Sequence, residues 1–522
     1  MTAHAVFLVL AVAGWISLAI WVVLLVGRGG FWRMDLRLPE APADGDGDGG
    51  GRAWPSVTAV IPARDEAGIL PATLPSVLAQ DYPGPFSVIV VDDASTDGTG
   101  RVAAELAEAM PSASGCAPLH VLRGSGPPPG WAGKVAAMDR GLRAVDDIDE
   151  IDDETEYVLF TDSDIAHPAD SLRRLVRHAQ DSELDLVSLM ARLSTDSAAE
   201  RVIVPAFVFS FFQLYPPAWV NNPTARTAAA AGGCMLVRRQ ALEDAGGLAG
   251  IADARIDDVA LGTLLKRGGR GGGNGGESSS DGGGTGGSDG GTDSGSRGRT
   301  DSGSRGGSGD GSASSEDSNC RSGCSGGSGS EDIGVGEGSA SASSSSDGSS
   351  SSGFIRDDGS GGGSREGGNG GGGSSSSSSS RENYGRVWLG VTTGVRSLRP
   401  YPRLADLWDM IARSAYTQLR YSPWLLLGTI VGLVLTYGVP PIVGVVGLAT
   451  QRWGVAIPAL AAWGVMSAVY VPVLRLYGLR WWRAPLLPGV MAVYGAMTID
   501  SARRHWQGRG GAWKGRMIES GE

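Results

Sequence analysis

The sequence predicts an α/β domain on a parallel, doubly wound sheet, tied to a membrane at both ends and interrupted by a long low-complexity insertion. Three observations carry this. Short β-branched apolar runs alternate with helix-spaced segments between residues 54 and 267. An uncharged apolar stretch opens the chain at 5–26, and others return after 423. Residues 268–383 are almost entirely Gly, Ser, Asp and Arg.

The chain has 522 residues, with 44 Lys+Arg against 56 Asp+Glu and a net charge of −12. That balance argues against a nucleic-acid binder, which needs a basic face for phosphates. Most of the excess among its 83 glycines lies in the low-complexity tract. Glycine there has no three-residue period, which excludes collagen. Cys116, Cys234, Cys320 and Cys324 lack the spacing and company of a zinc site and read as isolated thiols.

Residues 1–27 form the expected anchor. The 22 uncharged residues of 5–26 give about 33 Å of helix, enough to span a bilayer. Arg28, Arg33 and Arg37 follow it, which places the N-terminus outside and the region after residue 27 on the cytoplasmic face. A linker (28–53) leads into the soluble region. There 57–61 and 88–91 read as buried strands, with a helix at 68–80 between them. A helix at 99–110, a strand at 119–122, a helix at 133–144 and a strand at 157–161 follow. Segment 384–422 completes the domain and leads toward the membrane. Residues 423–449 and 453–474 are two further spans, 485–499 reads as an interfacial or re-entrant segment, and a basic tail occupies 500–522.

Ligands of such sheets sit at the carboxyl ends of strands. Three acidic clusters fall near strand ends or in later loops: Asp92-Asp93, Asp162/Asp164 and Asp257-Asp258. In an extended segment Asp162 and Asp164 point the same way, so they can share a Mg²⁺ or Mn²⁺ ion with a diphosphate. Two other patterns fail. The run from Asp93 to Gly98 starts like a calcium loop, but Ala104 stands where the twelfth-position Glu is required. The glycines at 124, 126 and 130 cannot cradle a phosphate, because Pro127, Pro128 and Pro129 remove backbone donors.

The ordered set VIPARDEA (60–67), VVDDASTDGT (90–99), GWAGKVAAM (130–138), FTDSDIAH (160–167), AAAAGGCMLVRR (228–239) and IDD (256–258) resembles the family 2 glycosyltransferases of GT-A fold. Within them it is most similar to the hopene-associated glycosyltransferases, through PAFVFSFFQLYPPAWVNNP (205–223) and AYTQLRYSPWLLLGT (415–429). The resemblance implies a Rossmann-like nucleotide-diphospho-sugar transferase domain and a role for each matched residue. Pro62, Ala63, Arg64, Asp65 and Glu66 would hold the nucleotide. Asp92 or Asp93 would bond the base, expected to be uracil. Lys134 would steady the nucleotide or its phosphates, and Asp162 and Asp164 would hold the divalent cation and diphosphate. Asp258 would be the general base, with Asp257 beside it. The implied reaction is an inverting transfer from a nucleotide sugar, expected to be UDP-linked, to a lipid or isoprenoid-related acceptor at the membrane.

Two departures stand out. Related membrane synthases carry Q/R-x-x-R-W before their membrane helices, whereas this chain reads Thr417-Gln418-Leu419-Arg420-Tyr421. Arg420 is left to meet the diphosphate or acceptor, or simply to anchor a helix end at the cytoplasmic face. The tract also separates Lys266-Arg267 from Arg386-Val387-Trp388, so 268–383 reads as a disordered insertion in one surface loop. His167 is expected to support the metal loop from behind rather than to ligate. Phe207, Phe209, Phe211, Phe212 and Tyr215 are expected to pack as core or membrane-surface residues rather than to form a substrate platform. A polysaccharide synthase-like enzyme and an inactive nucleotide-binding membrane scaffold are the rival readings.

Overall fold

The computed structural model describes residues 3–40, 53–110, 115–148, 151, 154–268 and 385–509. All of them belong to one compact unit. The expected insertion at 268–383, apart from Gly268, lies outside the described residues, as do most of the 28–53 linker's second half and the tail from 510.

Helix α1 (Ala3–Gly27) carries no charge and turns Leu8, Val9, Trp15, Val23 and Val26 outward. On its inner side Trp21 is fully buried and donates to the Thr436 carbonyl at 2.7 Å. The α/β region then starts with β1 (Val57–Ala63), α2 (Leu70–Leu78), β2 (Phe86–Asp92) and α3 (Thr99–Ala109). It continues with β3 (Leu119–Arg123), α4 (Gly133–Asp147), β4 (Tyr157–Thr161), β5 (Ile165–Ala166) and α5 (Ser171–Asp181). All seven residues of β1 are buried, because both faces of the sheet are covered. Val60 packs with Ile89, Val91, Val135 and Phe160 on one face. Its neighbours Ala59 and Ile61 pack with Leu70, Leu74, Leu172 and Val176 on the other.

The second half comprises β6 (Leu186–Arg192), α6 (Glu200–Leu214), α7 (Pro217–Val220), β7 (Cys234–Arg238), α8 (Arg239–Asp244), α9 (Asp257–Gly268) and β8 (Val387–Ser397). The eight strands lie in the order β3-β2-β1-β4-β7-β6-β8-β5. Strands β3, β2, β1 and β4 are parallel, as the sequence predicts. Strand β7 runs antiparallel to both β4 and β6, so the sheet is mixed. The cause is local. Helix α6 lines the cavity at the strands' carboxyl ends, so the chain re-enters the sheet from there and descends. Strand β8 pairs in parallel with β6 and antiparallel with β5, tying the chain after the insertion to the loop after β4.

The C-terminal part has α10 (Leu404–Gln418), α11 (Pro423–Leu433), a π turn, α12 (Val439–Ala449), α13 (Trp453–Leu476) and α14 (Leu487–Trp506). Among the described residues, four helical stretches are long and apolar enough to cross a membrane: His4–Gly27, Glu200–Val220, Pro423–Ala449 and Trp453–Leu476. The second was not expected as a span; it is also the most buried of the four. The apolar run 485–499 belongs mostly to α14, one continuous helix through Arg503 and Arg504. Pro488 sits in its first turn, where no backbone donor is lost.

Candidate active site

Asp162 and Asp164 leave the carboxyl end of β4 as expected. Lys134, in the first turn of α4, places its Nζ 2.8 Å from Asp162 Oδ1 and 2.8 Å from Asp257 Oδ2. Asp257 and Asp258 occupy the first turn of α9, where the helix dipole favours carboxylates. Asp258 Oδ2 accepts from the Gly232 amide at 3.0 Å, and its Oδ1 accepts from the Val259 amide. Burial and then the neighbouring Asp257 push the Asp258 carboxyl up to about 7. Burial likewise raises Asp162 to about 6 against the pull of Lys134, with Asp164 and Asp257 adding to the rise. Lys134 is held above its ordinary range, because Asp162 and Asp257 outweigh its burial.

The first two strand ends are laced together. The Arg64 guanidinium donates to the Asp93 carbonyl at 3.1 Å and pairs with its carboxylate at 3.4 Å. Asp65 adopts a left-handed backbone, φ 51°, and its Oδ1 accepts from the Thr96 amide at 2.8 Å. The Glu66 amide donates to Thr99 Oγ1 at 2.8 Å. Asp92 Oδ1 accepts from the Ser95 amide, and Gly100 packs against its Oδ2 so closely that a Cβ would stand 2.5 Å away.

One cavity of about 710 Å³ gathers most of the expected residues. Pro62, Glu66, Lys134, Asp162, Asp164, Asp257 and Asp258 form its acidic floor, and Phe207, Phe211, Leu214, Met410 and Tyr494 an apolar wall. Ala63, Arg64, Asp65, Asp92 and Asp93 sit at the adjoining strand ends, outside its lining. Arg420, two residues beyond α10, is exposed, has a left-handed backbone with φ 49°, and does not line the cavity; Arg413 and Gln418 of α10 do. His167 is buried with Nε2 2.9 Å from Thr161 Oγ1 and Nδ1 3.3 Å from Ser171 Oγ. Burial drives its imidazole down to about 4, so it supports the loop as a neutral ring.

Sequence reasoning missed Ser397, Arg399 and Arg413. Ser397 Oγ donates to Asp164 Oδ2 at 2.7 Å, and Arg399 Nε donates to the same oxygen at 3.2 Å. The available signal was the basic run from Arg396 to Arg403, which spans the end of β8. Among the described residues no group of three or more His, Cys, Asp or Glu is arranged to hold a metal. Asp162 and Asp164 nevertheless fit a hard divalent cation that completes its shell with water and phosphate oxygens. The described bonds engage one oxygen of each: Oδ1 of Asp162 and Oδ2 of Asp164.

Residues 58–246 match the family described as glycosyl transferase family 2. That stretch is a family 2 glycosyltransferase domain. The match holds β1 through β7 with Lys134, Asp162 and Asp164, and stops before α9 and β8, so Asp257, Asp258 and Arg399 lie beyond it. No curated protein matches the chain. Among solved structures it is similar to a mannosyltransferase, PcManGT, from Pyrobaculum calidifontis in complex with GDP-Man and Mn²⁺. The two are 24% identical over 48% of this chain and 64% of that one, with a TM-score of 0.32. Residues 1–349 of TarS from S. aureus, in complex with UDP-GlcNAc, are 18% identical over 40% of this chain and 52% of that one, with a TM-score of 0.28. This chain therefore spans less than two thirds of either protein's length.

Proposed function

We propose that this protein is a membrane-bound inverting glycosyltransferase. It moves one sugar from a nucleotide-sugar donor, UDP-linked, to a hydroxyl of a lipid or isoprenoid-related acceptor, in keeping with its resemblance to hopene-associated enzymes. The observation that carries the reading is the single cavity joining an acidic floor to an apolar wall on α6, α10 and α14. The floor suits a metal–diphosphate group and the wall suits a lipid. Arg28, Arg33 and Arg37 after α1 support a cytoplasmic catalytic domain.

In this mechanism Asp258 takes the proton from the acceptor hydroxyl, whose oxygen bonds to the anomeric carbon as the bond to the diphosphate breaks. The Gly232 and Val259 amides orient that carboxylate. A carboxyl poised near neutrality combines basicity with availability of the charged form. Lys134 braces Asp162 against Asp257 and so keeps the donor and base halves of the floor in register. Asp162 and Asp164 would hold the divalent cation, which neutralises charge on the leaving diphosphate. Pro62 to Glu66, with Asp92 or Asp93, hold the nucleoside end.

The test is metal-dependent UDP release from a panel of nucleotide sugars by detergent-purified protein, with Asp162→Ala and Asp258→Asn alongside. Release by the wild type that both variants lose is the expected result. Nucleotide binding without turnover on any lipid acceptor would replace this reading with the inactive scaffold.

A further inference from the structure

The floor of the cavity carries Glu66, Asp162, Asp164, Asp257 and Asp258, and Asp406 and Asp409 also line the cavity. Such a floor repels a diphosphate unless cations compensate. Lys134 answers Asp162 and Asp257. Arg399 answers the other side: its guanidinium reaches Glu66 Oε1 at 2.5 Å and Asp164 Oδ2 at 3.2 Å. The backbone that carries it is pinned on both flanks. The Leu398 amide donates to the Asp164 carbonyl at 2.8 Å, and the Tyr401 amide to Glu200 Oε1 at 2.6 Å. Ser397 Oγ separately holds Asp164 Oδ2. The guanidinium can therefore leave Asp164 without moving the main chain or stripping that oxygen of its other bond.

We propose that Arg399 is a stand-in cation and donor-binding residue. It neutralises Asp164 and Glu66 while the donor is absent, and exchanges Asp164 for the donor's diphosphate when a divalent cation occupies the aspartates. Two physical facts favour the exchange. A guanidinium and a divalent cation on one carboxylate repel each other, and a planar guanidinium fork binds phosphate oxygens in pairs. The inference rests on the nucleotide-sugar reading of this cavity.

The experiment measures MnCl₂ binding alone, and UDP binding in saturating MnCl₂, by titration calorimetry on full-length detergent-purified protein. Wild type, Arg399→Gln and Arg399→Lys are compared, with thermal unfolding as a check on folding. Removing the competing cation in Arg399→Gln is expected to tighten Mn²⁺ binding about threefold and weaken UDP binding about tenfold or more, the loss of a charge-assisted contact. Arg399→Lys is expected to keep wild-type Mn²⁺ affinity and recover only part of the UDP affinity. A residue that merely braced the loop would weaken both ligands together. Unchanged or weaker Mn²⁺ binding in Arg399→Gln would overturn the exchange. If that variant fails to fold, full UDP affinity in Arg399→Lys would overturn it instead. Wild-type protein that binds neither Mn²⁺ nor UDP would overturn the nucleotide-sugar reading, and the inference with it.

Discussion

Replacing Gly262 by Ala would drive a wedge between α9 and the segment that orients the proposed base. A Cβ at Gly262 would stand 2.6 Å from the Ala229 carbonyl carbon and 2.9 Å from the Ala230 amide nitrogen, both backbone atoms that cannot rotate away. Ordinary van der Waals contact begins at 3.4 Å, so the two segments must part by about 0.8 Å. Asp258 lies one turn before Gly262 on the same face of α9, and Gly232 lies just past Ala230. The bond between them, 3.0 Å, would stretch to about 3.8 Å and be lost as a hydrogen bond. Overpacking of this kind costs about 1–3 kcal/mol, and misplacing a reacting group by about 1 Å costs on the order of a hundredfold in rate. UDP release is therefore expected to fall by about ten- to a hundredfold. Gly464→Ala is the matched control, because a Cβ there meets nothing within 4 Å. Turnover within about twofold of wild type in Gly262→Ala would refute the claim that the Gly232 amide sets the Asp258 carboxylate.

Four more outcomes are expected. Because Asp258 is raised to about 7, kcat/KM should fall about tenfold per unit below that pH and level off above it, while Asp258→Asn stays low and flat. The sign for stability is opposite: a carboxyl whose pKa is raised in the folded state contributes stability at low pH that is lost as pH rises through about 7, readable in pH-dependent unfolding of Asp258→Asn against wild type. Glu200→Ala should destabilise by about 1–3 kcal/mol, because the buried carboxylate accepts the Ser197 and Tyr401 amides at 2.7 and 2.6 Å; chemical denaturation measures it. Replacing residues 269–384 with about four residues should keep fold and turnover, because the Gly385 amide already meets the Lys266 carbonyl at 3.0 Å. Shortening a loop of that length removes at most about 3 kcal/mol of closure cost, read as a raised unfolding midpoint; loss of nucleotide binding would show that the tract does more than connect.

What the sequence reveals here is what sits close together along it. The buried runs of β1, β2 and β4, the uncharged length of α1 and the carboxylate clusters at strand ends are all local patterns, and each is found where its periodicity or composition points. The antiparallel entry of β7 depends instead on where α6 comes to rest, which no pattern in 234–238 records. Segment 485–499 is helical despite its prolines, since Pro485 lies in a 3₁₀ turn and Pro488 in the first turn of α14, places that tolerate them. The side of the floor held by Arg399 was the least legible part. Its partners Glu66 and Asp164 lie 333 and 235 positions earlier, on the far side of the tract. Their meeting depends on β8 finding the edge of β6 after that excursion and returning through β5 to the loop after β4. Lys134 shows the contrast: its motif could be read in place, though not that it clasps both Asp162 and Asp257. The floor is thus completed only when the chain beyond the tract docks. Arg399 and Ser397 then reach Asp164, which β4 and its loop already present. Weakening the β6–β8 pairing should therefore impair binding at Asp164 before it disturbs the parallel half of the sheet.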